Sequence, residues 1–353
     1  MRRRLLENLL WFLEYPSVTG DEEWLCDDLE ARIAAAGWKI ERVSNNLAVR
    51  RSNPDSSRER VVFAGHLDTV PEPEGGIAVR TEGNRVYGCG ASDMKAGDAM
   101  MLALLEDFDW EVSWAEPVFI FYEREEGPYP ENGLEAVFAG SPWVLDAELA
   151  LCTEPTAGAL ELGCAGTAQV EITFEGRSSH SARPWHGENA LTAGGKFLAR
   201  LHERPAEEVV VQGLSFYEVI TPTMARGGRA KNVVPDEFWI NTNFRFAPGR
   251  GPEHVQDVFE KLLPGEARFE VSDLAPSGHV YRDNPLLLKL VESGTEVRPK
   301  QAWTDVARFA KHGVAAANFG PGLPAQAHQI NEYAELGLLE ECYAKLSTFL
   351  KQG

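Results

Sequence analysis

The order of elements predicts an α/β fold in two domains, and three observations carry that expectation. Short continuous apolar runs, Val61-Val62-Phe63-Ala64-Gly65, Val118-Phe119-Ile120-Phe121-Tyr122 and Leu149-Ala150-Leu151-Cys152, read as buried parallel strands of a mixed sheet. Helical patterns alternate with them. Over residues 166–273 the pattern changes to half-exposed alternation in the order βαββαβ, which predicts a small open-faced α+β unit inserted into the first domain. At 353 residues the chain is long enough for two such cores.

Leu5, Leu6, Leu9, Leu10 and Leu13 recur at helical spacing behind Met1-Arg2-Arg3-Arg4. Glu7, Asn8 and Glu14 break what would otherwise read as a secretory leader, so an amphipathic first helix is expected. Pro16-Ser17-Val18-Thr19-Gly20 ends that pattern, and Asp21-Glu22-Glu23 opens a second helix to about Ala36, with Gly37 at its end. The strand 61–65 follows, with His66 and Asp68 at its carboxyl end, where open α/β sheets build their sites. A helix is expected over 94–108. Glu125 and Glu126 come directly after the strand 118–122, and the strand 149–152 ends at Glu154, so three acidic or histidine blocks should converge on one rim.

In the inserted unit the pattern predicts a strand over 169–174, a helix over 189–203 and strands near 214–220 and 237–246. A helix over 252–263 and a strand over 267–271 complete it. Beyond Pro276-Ser277-Gly278 the chain should return to the first domain with a helix over 285–294 and a buried strand over 314–319. The first domain is thus expected to be discontinuous, 1–165 and 274–353, around an insert of 166–273.

Composition narrows the function classes. With 34 Lys and Arg against 54 Asp and Glu, the net charge of -20 disfavours nucleic acid and anionic membrane surfaces. No stretch is long and apolar enough to span a bilayer. Five cysteines, odd in number and without CxxC spacing, indicate neither a disulfide framework nor a zinc finger and fit a reducing cytoplasm. An anionic substrate would need local cations, which draws attention to single arginines.

Gly65-His66-Leu67-Asp68, Gly90-Ala91-Ser92-Asp93-Met94-Lys95, Glu125-Glu126-Gly127, Thr153-Glu154-Pro155 and His328 together supply what a two-metal hydrolase requires. Such a site needs a bridging carboxylate, terminal ligands for each ion and a general base beside the reacting water. In this order, with His180-Ser181-Ala182-Arg183-Pro184 and Asn232-Val233-Val234-Pro235-Asp236, the blocks resemble the M20 family of metallopeptidases. The resemblance implies a zinc-exopeptidase-like catalytic domain with an inserted dimerisation and lid domain. It implies two Zn2+ per subunit, with Co2+ or Mn2+ able to substitute. His66 and Glu154 would bind one ion, Glu126 and His328 the other, and Asp93 would bridge them. Asp68 would orient His66, its carboxylate accepting the second imidazole N–H, and Glu125 would be the general base. His180 would reach the partner's active site across a homodimer to stabilise the oxyanion, with Asn232 contributing from the lid.

Asn243-Phe244-Arg245-Phe246, Trp303-Thr304-Asp305-Val306-Ala307-Arg308-Phe309, Gly320-Pro321-Gly322 and Ala327-His328-Gln329-Ile330-Asn331-Glu332 are similar to an actinobacterial branch of that family, the succinyl-diaminopimelate desuccinylases. That likeness implies a small anionic N-acyl amino acid as substrate, N-succinyl-LL-2,6-diaminopimelate, with Arg245, Arg308 and Thr304 contacting its carboxylates. Residues 303–306 depart from the Gly-Thr-Ser-Asp segment of proteobacterial enzymes, and 156–162 contain no arginine. Another M20 deacylase or carboxypeptidase, such as an acetylornithine deacetylase, stays open as an alternative, as does a non-catalytic ligand-binding homologue.

Overall fold

The computed structural model describes residues 1–73, 76–265 and 267–352. Two compact units divide the chain. The first comprises 1–163, 281–298 and 305–353; the second comprises 164–280 and 299–304.

The first unit is built on an eight-stranded mixed sheet. Its strands lie in the order Lys39–Val43, Asn46–Arg50, Ala115–Tyr122, Glu59–His66, Leu149–Cys152, Ala316–Asn318, Leu160–Leu162 and Val297–Pro299. Glu59–His66 runs parallel to both neighbours, pairing His66 with Tyr122 on one side and Ala64 with Cys152 on the other. These central strands are apolar without alternation because both faces are covered: Ala115–Tyr122 and Leu149–Cys152 are buried at every position. Helix Ala96–Asp107 is likewise buried from Ala96 to Leu105, and Arg2–Leu13 turns Leu5, Leu9, Phe12 and Leu13 inward. Asn132 and Asn284 cap the helices Gly133–Gly140 and Pro285–Glu292, their side chains accepting the N–H of Leu134 and of Leu286 and Leu287.

The second unit holds a five-stranded antiparallel sheet in the order Glu207–Val211, Leu214–Gly227, Glu237–Phe246, Gly166–Glu175, Ala267–Ala275. Val170, Ile172, Phe174, Ile240, Phe244 and Phe246 form one buried face, packed with Phe197 and Leu201 of helix Ala190–Glu203 and with Val255 and Phe259 of helix Pro252–Leu262. The clean alternation of Gly166–Glu175 reflects a sheet covered on one side only.

Three expectations need correction. The insert is βαβββαβ, because Glu207–Val211 adds an edge strand through the two-residue turn at Gln212 and Gly213, both at positive φ. Its boundaries differ from 166–273: residues 164–165 and 274–280 belong to the second unit, and so do Pro299–Thr304. Gln301, which bonds Tyr217 N and Ser215 O, and Trp303, whose Nε1 donates to Pro276 O at 3.0 Å, fasten that last segment there. The helix expected from Met94 begins at Ala96, since Asp93 and Met94 have non-helical backbone angles. Among the described residues, no helix is long and apolar enough to cross a membrane.

Candidate metal centre

Three adjacent parallel strands set the rim of the candidate site. His66 ends the middle strand, Glu125 and Glu126 follow Ala115–Tyr122 on one side, and Glu154 follows Leu149–Cys152 on the other. The shared register therefore delivers all three segments to one edge of the sheet. Asp93 arrives from the turn that precedes helix Ala96–Asp107, and His328 from the loop before strand Tyr333–Glu335.

The ligand-capable atoms of His66, Asp93 and Glu126 all lie within 4.8 Å of one another. His66 is 1% exposed, and its Nδ1 donates to the backbone carbonyl of Asp68 at 2.9 Å. That bond places the lone pair of a neutral ring on Nε2, which faces Asp93 Oδ1 at 3.3 Å. Two acceptors so close require a proton or a cation between them. Burial would lower the basicity of His66, yet Asp68 and Asp93 overcome it and hold the imidazole well above its ordinary value. His328 Nε2 lies 2.8 Å from Glu126 Oε1 and 3.7 Å from Asp93 Oδ2, and its pKa is raised to about 9, chiefly by Glu126. The two oxygens of Asp93 thus face two different imidazoles. Imidazole and carboxylate donors without a thiolate suit zinc, cobalt or manganese, so the residues present fit a divalent cation.

The Asp68 carboxylate stands 3.5 Å from His66 Nδ1, close enough to pair with the imidazole, and it also accepts the backbone N–H of Glu125 at 2.9 Å and of Glu126 at 3.0 Å. Thr19 Oγ1 donates to it at 2.9 Å. Asp68 therefore meets the imidazole through both its carbonyl and its carboxylate, and holds the Glu125-Glu126 pair through the carboxylate. Burial opposes its ionisation, but His66 and these N–H donors hold it below the usual carboxylate range. Glu125 shows the reverse: desolvation, then the nearby charge of Glu154, push its carboxyl well above the ordinary value. A carboxyl raised in this way can both take and return a proton.

Sequence reasoning missed two supports of the rim. Glu332 accepts the backbone N–H of Gly90, Ser92 and Asp93, at 2.7, 2.7 and 2.9 Å. Gly320 and Gly322 let the chain press against the rim: a Cβ at Gly320 would lie 2.2 Å from Thr153 O, and one at Gly322 2.0 Å from Ser92 O. The Gly-Pro-Gly spelling was the available signal for that close approach.

Comparison with known proteins agrees with this geometry. The profile of Peptidase family M20/M25/M40 matches residues 62–352. The chain belongs to this family. A Mycobacterium tuberculosis relative, provisionally named succinyl-diaminopimelate desuccinylase DapE, is 37% identical over 347 residues, covering 96% of this chain and 95% of that protein. The succinyl-diaminopimelate desuccinylase of Corynebacterium glutamicum is 34% identical over 350 residues, covering 96% and 94%. In fold, aminopeptidase PepT from Bacillus cereus superposes with a TM-score of 0.80 at 18% identity, over 99% of this chain and 98% of that one.

Of the other expected site residues, His180, Asn232, Arg245 and Thr304 belong to the second unit. There an antiparallel bridge between His180 and Val233, with Ser181 N–H donating to Asn232 O at 2.9 Å, puts His180 beside the Asn232 segment. Both are exposed. Arg245 bonds Asn243 through Nε at 2.9 Å, and Thr304 Oγ1 has no hydrogen-bond partner among the described residues. Arg308, in the first unit, is a correction. It is 1% exposed, with Nε on Asp305 at 2.7 Å, Nη2 on Tyr129 O at 2.5 Å and Nη1 3.4 Å from Glu135. Asp305 also accepts from Tyr122 and Asn132, so the pair is a satisfied internal network and Arg308 presents no face to a substrate.

Proposed function

We propose that this M20 protein is a metal-dependent amidohydrolase that cleaves N-succinyl-LL-2,6-diaminopimelate to succinate and LL-2,6-diaminopimelate, a reaction of diaminopimelate and lysine biosynthesis. The convergence of His66, Asp93 and Glu126 within 4.8 Å carries the reaction class. The substrate follows from the desuccinylase names of relatives matched across nearly the whole chain.

In this reading His66 and Glu154 would hold one zinc ion and Glu126 and His328 a second, with Asp93 serving both, a role supported by its oxygens facing both imidazoles. Bound zinc supplies Lewis acidity to the scissile carbonyl and lowers the pKa of water to about 7. Cobalt or manganese offers the same chemistry to these donors. Glu125 takes the proton of the attacking water as the C–O bond forms, then returns it to the nitrogen as the C–N bond breaks. The second water proton, left on the new carboxyl, also passes to the nitrogen, so succinate leaves as a carboxylate and the diamino acid as an ammonium. His180 accepts the N–H of Ala182 on Nδ1 at 3.0 Å, which leaves an outward Nε2–H to donate to the oxyanion of the partner subunit in a homodimer. Asn232, held beside His180, adds to that donor set. Arg245 and Thr304 answer the substrate carboxylates. Five free buried cysteines suit the reducing cytoplasm in which we place the enzyme.

The test is a substrate panel on protein stripped by a chelator and reloaded with zinc, cobalt or manganese. We expect activity to vanish and return with metal, and N-succinyl-LL-2,6-diaminopimelate to exceed N-acetylornithine and a dipeptide in kcat/KM. Preference for either competitor would replace the acyl assignment, and activity indifferent to metal would overturn the reaction class.

A further inference from the structure

Glu332 stands outside the ligand set, yet it grips the segment that carries the central carboxylate. Its residue is 2% exposed. Oε1 accepts the N–H of Ser92 at 2.7 Å and of Asp93 at 2.9 Å, while Oε2 accepts the N–H of Gly90 at 2.7 Å. Three amides can converge on one carboxylate because the chain curls there, Lys95 N–H returning to Gly90 O at 2.8 Å. The two segments are joined further by Gly88 N–H to Glu332 O at 3.2 Å, Ser92 Oγ to Tyr333 O at 2.8 Å, and the pairing of Tyr333–Glu335 with Arg85–Tyr87.

Four residues before Glu332 in the sequence is His328, whose Nε2 lies 3.7 Å from Asp93 Oδ2. One side chain therefore ties the turn bearing Asp93 to the loop bearing His328, two segments more than 200 positions apart. We propose that Glu332 is a positioning residue that sets Asp93 against His328 and so governs affinity for the ion those two residues share. The proposal rests on the two-ion reading above. A carboxylate is suited to the task because it offers only acceptors to three donors. An amide in its place would turn an NH2 group toward at least one of those N–H groups. Loss of such an outer partner commonly costs a metal site about 10- to 100-fold in affinity.

The experiment titrates zinc chloride into metal-free protein against a competing chelator and records the melting temperature of the metal-free form alongside. For the unsubstituted protein we expect two ions. For Glu332→Gln we expect one ion bound about 10- to 100-fold more weakly and the other changed much less. Glu332→Asp keeps the charge but is one methylene short of the three N–H groups, so it should weaken the same ion by a smaller factor, and it carries the test if Glu332→Gln does not fold. A folded variant that binds both ions like the parent while its metal-free form melts lower overturns the proposal. So does failure of both variants to fold, since Glu332 would then serve the fold alone. Fewer than two ions on the unsubstituted protein would instead remove the two-ion reading, and this proposal with it.

Discussion

His66 and His180 serve the same proposed reaction from opposite surroundings. His66 is buried, with Nδ1 bonded to the Asp68 carbonyl and Nε2 facing Asp93. His180 is exposed, and among the described residues the one hydrogen bond of its ring is the Ala182 N–H donated to Nδ1. A metal ligand must be held to within a few tenths of an ångström in one tautomer, which burial and a fixed partner accomplish. A donor that meets a charge developing on a partner-bound substrate needs an N–H turned outward. The same contrast separates Arg308, enclosed by Asp305, Glu135 and Tyr129, from Arg245, whose Nη atoms have no hydrogen-bond partner among the described residues.

Three substitutions sharpen or break this contrast. The largest effect belongs to Glu125→Gln, which should lower kcat by about 10²- to 10⁴-fold at unchanged metal content. Turnover within tenfold of the parent would remove Glu125 from the proton-transfer role. Arg308→Met comes next: stranding the buried Asp305 should cost about 3–5 kcal/mol of stability in a denaturant titration, with KM nearly unchanged. A raised KM at parental stability would return Arg308 to the substrate. His180→Ala should lower kcat by about 10²- to 10³-fold without moving the melting temperature or the metal content, because the side chain is exposed. A drop in stability with kcat intact would mean that His180 only shapes its own loop.

The sequence carried much of this outline, for identifiable reasons. Leu149–Cys152 was readable to the residue because a fully buried parallel strand is a bounded apolar run, and Glu237–Phe246 because one covered face enforces alternation. The edge strand Glu207–Val211 escaped because its exposed glutamates mask the pattern. Arg80–Glu82, Arg85–Tyr87 and Tyr333–Glu335 are each too short to show a period. The start of helix Ala96–Asp107 was misplaced because the non-helical backbone at Asp93 and Met94 has no signature in hydrophobic spacing.

Local sequence alone determined which residue types stand at the ends of the central strands, since apolar runs and their polar termini are properties of neighbouring residues. Whether a given charge is used outward or inward was decided by tertiary structure. Arg308 could be judged structural only once Asp305, Tyr129 and Glu135 surrounded it. Asp68 could be seen to hold the Glu125-Glu126 pair only once two strand ends lay side by side. Glu332 is the extreme case, because its partners are backbone N–H groups about 240 positions away, and a backbone donor leaves no mark on the sequence.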